Sequence, residues 1–291
     1  MSINHCWTNV FIWLLAFGST LSAQPIESDV YDARVRLAWS DNYLTLDSPK
    51  LTRGPIRIHY LEAYCRPNST TTDWVEHTVI GHATRLVDQA ADGSRVQLQC
   101  KLNDGVLVDH DIQTRPSGVA LTIVAKNPTD TPSQAHWAQP CMRVGQFTGC
   151  GPDDTDDAYA YIRKSFIFQN GKQTFLPSPV WSTRARYTPG QVWSAPGVSP
   201  TDVNPRPYNP MSTDNGLIGC VSHDNQHLLA MAFQPYQELF QGVIRCIHSD
   251  FRIGGLEPGE QKTVRGYIYL LPNDSQQLLA AYHADFAGVA R

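Results

Sequence analysis

Between His136 and Arg143 the chain sets five chemically useful side chains into eight residues: His136, Trp137, Gln139, Cys141 and Arg143. A histidine moves protons near neutral pH. An amide and a guanidinium hydrogen-bond hydroxyls and anions. An indole offers an apolar face to a sugar ring. Together these types suit a pocket wall that recognises a polyhydroxylated ligand. The plainer alternative is a strand whose Trp137 and Cys141 fill core while His136 and Gln139 are satisfied by backbone.

Further groups extend the set. Glu238 stands between Tyr236 and Gln241, where neighbouring hydrogen bonds would hold it as a base, or where it is simply a surface residue in a turn. His248 and Asp250 are two apart, so on a strand they share a face. They form either an acid–base dyad or a structural pair. Arg143, Arg206 and Arg252 carry the planar fork that grips a carboxylate or phosphate of a sugar, unless each is a salt-bridge partner. Trp137, Trp193 and Tyr236 offer faces to pyranose rings, or else pack in the core.

Strands must position these groups. Gly118–Lys126 alternates apolar and polar residues, and the turn Asn127–Pro132 follows it. Ile56–Ala63, Val75–Leu86, Val96–Leu102, Val106–Thr114 and Arg163–Gln169 read as further strands, with Asn170-Gly171 as a hairpin turn. Gly216–Ser222 and His227–Phe233 read as a hairpin, Thr263–Leu271 as a closing strand and Ser275–Phe286 as a short helix. Strands recurring at this rhythm predict an all-β sandwich or barrel. Val180–Met211 is long, proline-rich and aromatic, which predicts a packed loop over a cleft, holding Trp181, Arg186, Tyr187, Trp193, Arg206 and Tyr208. The carboxylates Asp153, Asp154, Asp156 and Asp157 lack calcium-loop spacing and read as a solvated acidic loop.

At 291 residues, 17% charged and net charge -4, the composition is globular and carries no basic footprint for nucleic acid. Val10–Phe17 is a short apolar run, and Leu21-Ser22-Ala23 resembles a signal-cleavage site. Residues 1–23 are therefore expected to be a signal peptide. Residues 24–291 would then be one exported domain, periplasmic or extracellular, with no membrane span after cleavage. Six cysteines remain beyond the leader: Cys65, Cys100, Cys141, Cys150, Cys220 and Cys246. They permit disulfides of undetermined connectivity, with Cys220 and Cys246 as possible partners, or they are buried free thiols.

No G-x-S-x-G elbow, H-E-x-x-H, P-loop or dinucleotide fingerprint occurs. His136 with Cys141, or His248 with Cys246, lacks the spacing of a strong zinc site, so neither metal nor cofactor is expected. The order D-H-D-I, then G-V-A-L-T-I-V-A-K-N-P-T-D-T-P, then A-H-W-A-Q-P resembles the central part of galactose mutarotase-like (aldose 1-epimerase-like) proteins, loosely over Arg57–Pro272. H-W-A-Q-P-C-M-R-V-G, P-Y-Q-E-L-F-Q-G and H-S-D-F-R-I-G-G-L resemble exported bacterial proteins of no assigned activity. The family resemblance implies a β-supersandwich, with large antiparallel sheets and long loops over a concave face. It implies His136 as the acid and Glu238 as the base, while a second family histidine has no clear match, with His110 the one candidate.

The expected function is that of a carbohydrate-active protein, an aldose epimerase-like isomerase working by acid/base catalysis. A non-catalytic glycan-binding module is the alternative, and a polysaccharide lyase-like enzyme the third reading. Catalysis is expected from His136, Glu238, His248 and Asp250. Substrate binding is expected from Trp137, Gln139, Arg143, Trp193, Arg206, Tyr236, Gln241 and Arg252. The partner is a mono- or oligosaccharide, and the sequence leaves the oligomeric state open.

Overall fold

A computed structural model of the chain describes residues 1, 31–68, 73–151, 160–178, 191–204, 207–242 and 244–288. The elements belong to one unit, Tyr31–Arg291. The expected leader, the acidic loop, Trp181, Arg186, Tyr187 and Arg206 lie outside the described residues.

Two large antiparallel sheets make up the fold. In sheet I the order is β1 (Arg36–Ser40), β2 (Tyr43–Asp47), β3 (Ile56–Cys65), β9 (Trp137–Arg143), β16 (Cys246–Arg252), β15 (Tyr236–Gln241) and β12 (Val192–Ser194), with β4 (Val79–Ile80) paired to β3. In sheet II it is β11 (Lys172–Phe175), β10 (Ser165–Gln169), β13 (Ile218–Val221), β14 (His227–Gln234), β17 (Gln261–Pro272), β8 (Gly118–Lys126), β7 (Leu107–Arg115), β6 (Arg95–Leu102) and β5 (His82–Gln89). This is the all-β sandwich that the strand rhythm predicts.

Alternation along each strand builds the layers. Val119, Leu121, Ile123 and Ala125 of β8 all join the main core, as do Ile58, Met142, Leu239, Ile247 and Phe251 of sheet I. That core lies between the sheets. The outer face of sheet II is covered by the helix Ser275–Asp285, whose Leu278 and Tyr282 pack on Phe166, Tyr269 and Leu271. Asp274 caps this helix, its carboxylate accepting from the N–H groups of Gln276 and Gln277 at 2.8 and 3.1 Å. Across the outer face of sheet I, Ala195, Val198 and Val203 pack against Val192 and Phe240. So the long Val180–Met211 segment, where described, contributes β12 and a cover.

Local chemistry sets the joints. Asn170 and Gly171 take φ of 54° and 72°, the left-handed pair that a tight hairpin between β10 and β11 demands. The expected strand Val75–Leu86 divides instead. Trp74–Thr78 forms a π-helical turn, β4 joins β3 in sheet I, and β5 joins β6 in sheet II. The chain changes sheets at Gly81, where a Cβ would lie 2.5 Å from the Asn103 side chain. One apolar run serves two sheets there, which periodicity alone does not reveal.

Pro140 shapes the middle of sheet I. It has no N–H to give a ladder. On one side β9 and β16 pair at Cys246–Arg143 and Ile247–Met142, lapse, and resume at Phe251–Ala138 and Arg252–Trp137. On the other side the β3 register shifts between His59 and Ala63, and Leu61 within that bulge takes φ of 70°. A branched side chain at positive φ is strained, and bulges of this kind re-aim neighbouring side chains.

Candidate functional site

The outer face of sheet I gathers most of the expected residues. On β9 the side chains of Trp137, Gln139, Cys141 and Arg143 alternate with core residues Ala138 and Met142. On β16, Cys246, His248, Asp250 and Arg252 alternate with Ile247 and Phe251. Carrying the β9–β16 register across its gap sets Cys141 beside His248 and Gln139 beside Asp250. On β15, Glu238 is paired with Asp250 and Phe240 with His248.

Three neighbourhoods follow along this face. In the first, Cys246 Sγ lies 3.2 Å from His248 Nε2, and His248 Nδ1 lies 3.5 Å from Asp250 Oδ1. Phe240 stacks on the His248 ring with centroids 4.0 Å apart. Burial alone would raise the Cys246 thiol, but a hydrogen bond with Cys141 and the charge of His248 outweigh it and hold the thiol well below its usual range. Burial would likewise depress His248, yet Cys246 and Asp250 prevail and push it up to about 10. Burial, with Cys246 as donor or acceptor beside it, keeps Cys141 well above the usual thiol range.

Glu238 and Asp250 define the second neighbourhood, both with no exposed surface. Each Glu238 oxygen lies 2.9 Å from the Asn204 N–H, which donates to both. Buried like charges are costly unless a proton or cation lies between them. The third neighbourhood, at the far end, holds His136, Trp137 and Arg252. Arg252 lies 3.6 Å from Asp202 and donates to Gln237. Burial lowers the His136 pKa, and Arg252 and Lys262 lower it further against the pull of Asp202. His136 Nδ1 and Trp137 Nε1 are buried with no hydrogen-bond partner among the described residues.

A cleft of about 180 Å³ opens at the Arg143 end, lined by Tyr43, Ile56, Arg57, Arg143 and Gln146. Arg57 lies 4.1 Å from the Tyr43 ring centroid, and Tyr43 stacks on His59 at 5.1 Å. His59 is cross-strand partner of Cys141, so the cleft adjoins the thiols. Burial lowers the His59 pKa, with Glu62 pulling the other way. Sequence reasoning missed Tyr43, Arg57, His59 and Glu62. The alternating run Ile56–Ala63 held the signal, since it puts Arg57, His59 and polar partners on the side away from the core.

Other expected residues lie elsewhere. Trp193 and Gln241 belong to the opposite face, because each is an odd step from Glu238 or its partner: Trp193 pairs with Leu239 in the main core, and Gln241 pairs with Ile247. Tyr236 precedes a bulge and lines a different cavity, about 370 Å³, with Phe168, Asp214, Asn215, Tyr282 and His283. His110 is in the core between the sheets, its Nδ1 3.0 Å from Tyr60 Oη and its Nε2 3.1 Å from Tyr64 Oη. It therefore does not share the outer face of sheet I with Glu238 and Asp250. None of the six cysteines is in a disulfide, so Cys220 on sheet II and Cys246 on sheet I are not joined.

No family model and no curated protein matches the sequence. Solved structures do align. A galactose mutarotase-like protein from Lactobacillus casei is 8% identical, with 81% of this chain and 99% of that chain covered and a TM-score of 0.42. The Slr1438 protein from Synechocystis sp. is 10% identical, covering 81% and 95%, at 0.45. A galactose mutarotase-like protein from Clostridium acetobutylicum is 11% identical, covering 81% and 94%, at 0.41. The likeness is one of strand arrangement and carries nothing about activity.

Proposed function

We propose that this protein is an exported carbohydrate-active enzyme that works by proton transfer on the outer face of sheet I. One observation carries the reading. Glu238 and Asp250 face each other in a fully buried row that continues to His248. A carboxylate withdrawn from water is a stronger base toward a bound hydroxyl, and paired acid and base groups are what ring opening of an aldose needs. Glu238 takes the anomeric proton. His136 is the partner at the ring oxygen. The cationic cleft beside Arg57 and Arg143 suits a sugar bearing a carboxylate or phosphate.

A glycan-binding module would need aromatic faces open to solvent. Trp137 is 0% and Trp193 1% exposed, so neither offers one. The reading is tested by isothermal titration of the chain from Gln24 with neutral aldoses, uronic acids and sugar phosphates. Saturable binding of an anionic sugar, weakened tenfold or more in Arg143→Ala, supports it. Absence of binding by every sugar contradicts it.

A further inference from the structure

We propose that Cys141, Cys246 and His248 form a site for a thiophilic divalent metal ion of the zinc class. One donor atom from each residue lies within 4.8 Å of both others, and all three residues are buried. Two thiols and an imidazole are the donors such an ion prefers. Around a tetrahedral zinc, sulfur and nitrogen ligands stand roughly 3.5–3.8 Å apart. The observed 3.2 Å between Cys246 Sγ and His248 Nε2 opens to that spacing with small side-chain shifts.

Three features distinguish this from an incidental cluster. First, Asp250 faces His248 Nδ1 at 3.5 Å. That leaves Nε2 directed at the thiols, the outer-shell arrangement that orients metal-binding histidines. Second, the backbone of Gly242 lies against the donors: a Cβ there would come 2.1 Å from Cys246 Sγ and 3.2 Å from His248 Nε2. Gly242 is held in place by its own N–H to Cys246 O at 2.8 Å and by Tyr161 Oη donating to its carbonyl at 2.6 Å. Third, the register argues against a disulfide. Cys246 is paired with Arg143, so Cys141 is its diagonal neighbour. Diagonal Cα atoms are roughly 7–8 Å apart, beyond the usual reach of a disulfide.

Two thiolates and a divalent ion sum to zero charge, which a buried site accommodates best. Three protein donors leave a fourth position for water or a substrate oxygen, as in catalytic rather than structural zinc sites. The metal site stands independently of the carbohydrate reading, because it is measured without substrate.

The test uses the reduced chain from Gln24, stripped with chelator and titrated with cobalt(II). The expected result is one equivalent bound, with a thiolate-to-cobalt charge-transfer band and tetrahedral d–d bands that zinc abolishes. Cys141→Ser and Cys246→Ser should each lose that band. Asp250→Asn should keep it but bind ten- to a hundredfold more weakly. The band is read in the wild-type protein first, so misfolding of a variant does not shelter the proposal. No thiolate band in the reduced wild type overturns it. So does a band that survives both cysteine substitutions, or binding of copper(I) alone with cobalt and zinc excluded.

Discussion

Glu238 of β15 stands directly across from Asp250 of β16, and neither carboxylate reaches solvent. Sheet pairing fixes this juxtaposition, since residues opposite one another on antiparallel strands bring their Cβ atoms to roughly 5 Å. Glu238 also accepts from the Asn204 N–H with both oxygens, which ties the covering segment to the row. Glu238→Gln keeps an acceptor for that N–H and removes the base. Thermal stability should change little while the sugar reaction falls roughly a hundredfold or more. Equal losses of melting temperature and rate would assign Glu238 a structural role instead.

His110 predicts an acid-sensitive fold. Burial, aided by His82, lowers its pKa to about 3, and its two ring nitrogens meet Tyr60 and Tyr64. A depressed histidine stabilises the fold above its unfolded value near 6.5, and that contribution is lost as pH falls toward 3. Over that window each pH unit removes about 1.4 kcal/mol from this group. Urea unfolding at pH 7 and pH 4.5 should show the loss. His110→Leu should be less stable at pH 7 and show a shallower pH slope. A slope equal to that of the wild type contradicts the assignment.

Thiol reactivity gives a direct check on the cysteines. Cys65, Cys100, Cys141, Cys220 and Cys246 are buried, and Cys150 is half-exposed. A thiol reagent added to the unreduced native chain from Gln24 should modify one cysteine quickly and all six after denaturation. Two or more thiols missing after denaturation would reveal a disulfide.

Gly242→Ala tests the crowding around Cys246. The added methyl would overlap Sγ at 2.1 Å. Overpacking of this kind costs about 1–3 kcal/mol, measurable by urea denaturation. Stability within experimental error of the wild type would show that Cys246 moves aside freely.

Strand β8 coincides with the alternating run Gly118–Lys126, and the Asn170-Gly171 turn joins β10 and β11 as its residue types demand. Such features are local, and period-two patterning reports them. The grouping of Cys141 with Cys246 and His248 is not local. It depends on the register of β9 against β16, residues about a hundred positions apart, which no spacing rule along one strand can express. β16 is also buried on both faces, so the polar row Cys246, His248, Asp250 and Arg252 does not mark a solvent face as it would on a half-exposed strand. The same ambiguity put Trp193 and Gln241 with the binding residues, whereas one step of register turns them toward the core. The setting of His110 is equally hidden: nothing along β7 tells that its ring lies between the hydroxyls of Tyr60 and Tyr64.

The most direct measurement is polarimetry of aldose mutarotation, with neutral sugars, uronates and sugar phosphates compared in the wild type and Glu238→Gln. Acid/base chemistry at the buried Glu238–Asp250 row predicts acceleration over buffer by the wild type, and loss of at least about a hundredfold of it in the variant at unchanged melting temperature. A wild-type rate equal to buffer for every sugar, or a variant as fast as the wild type, would contradict it.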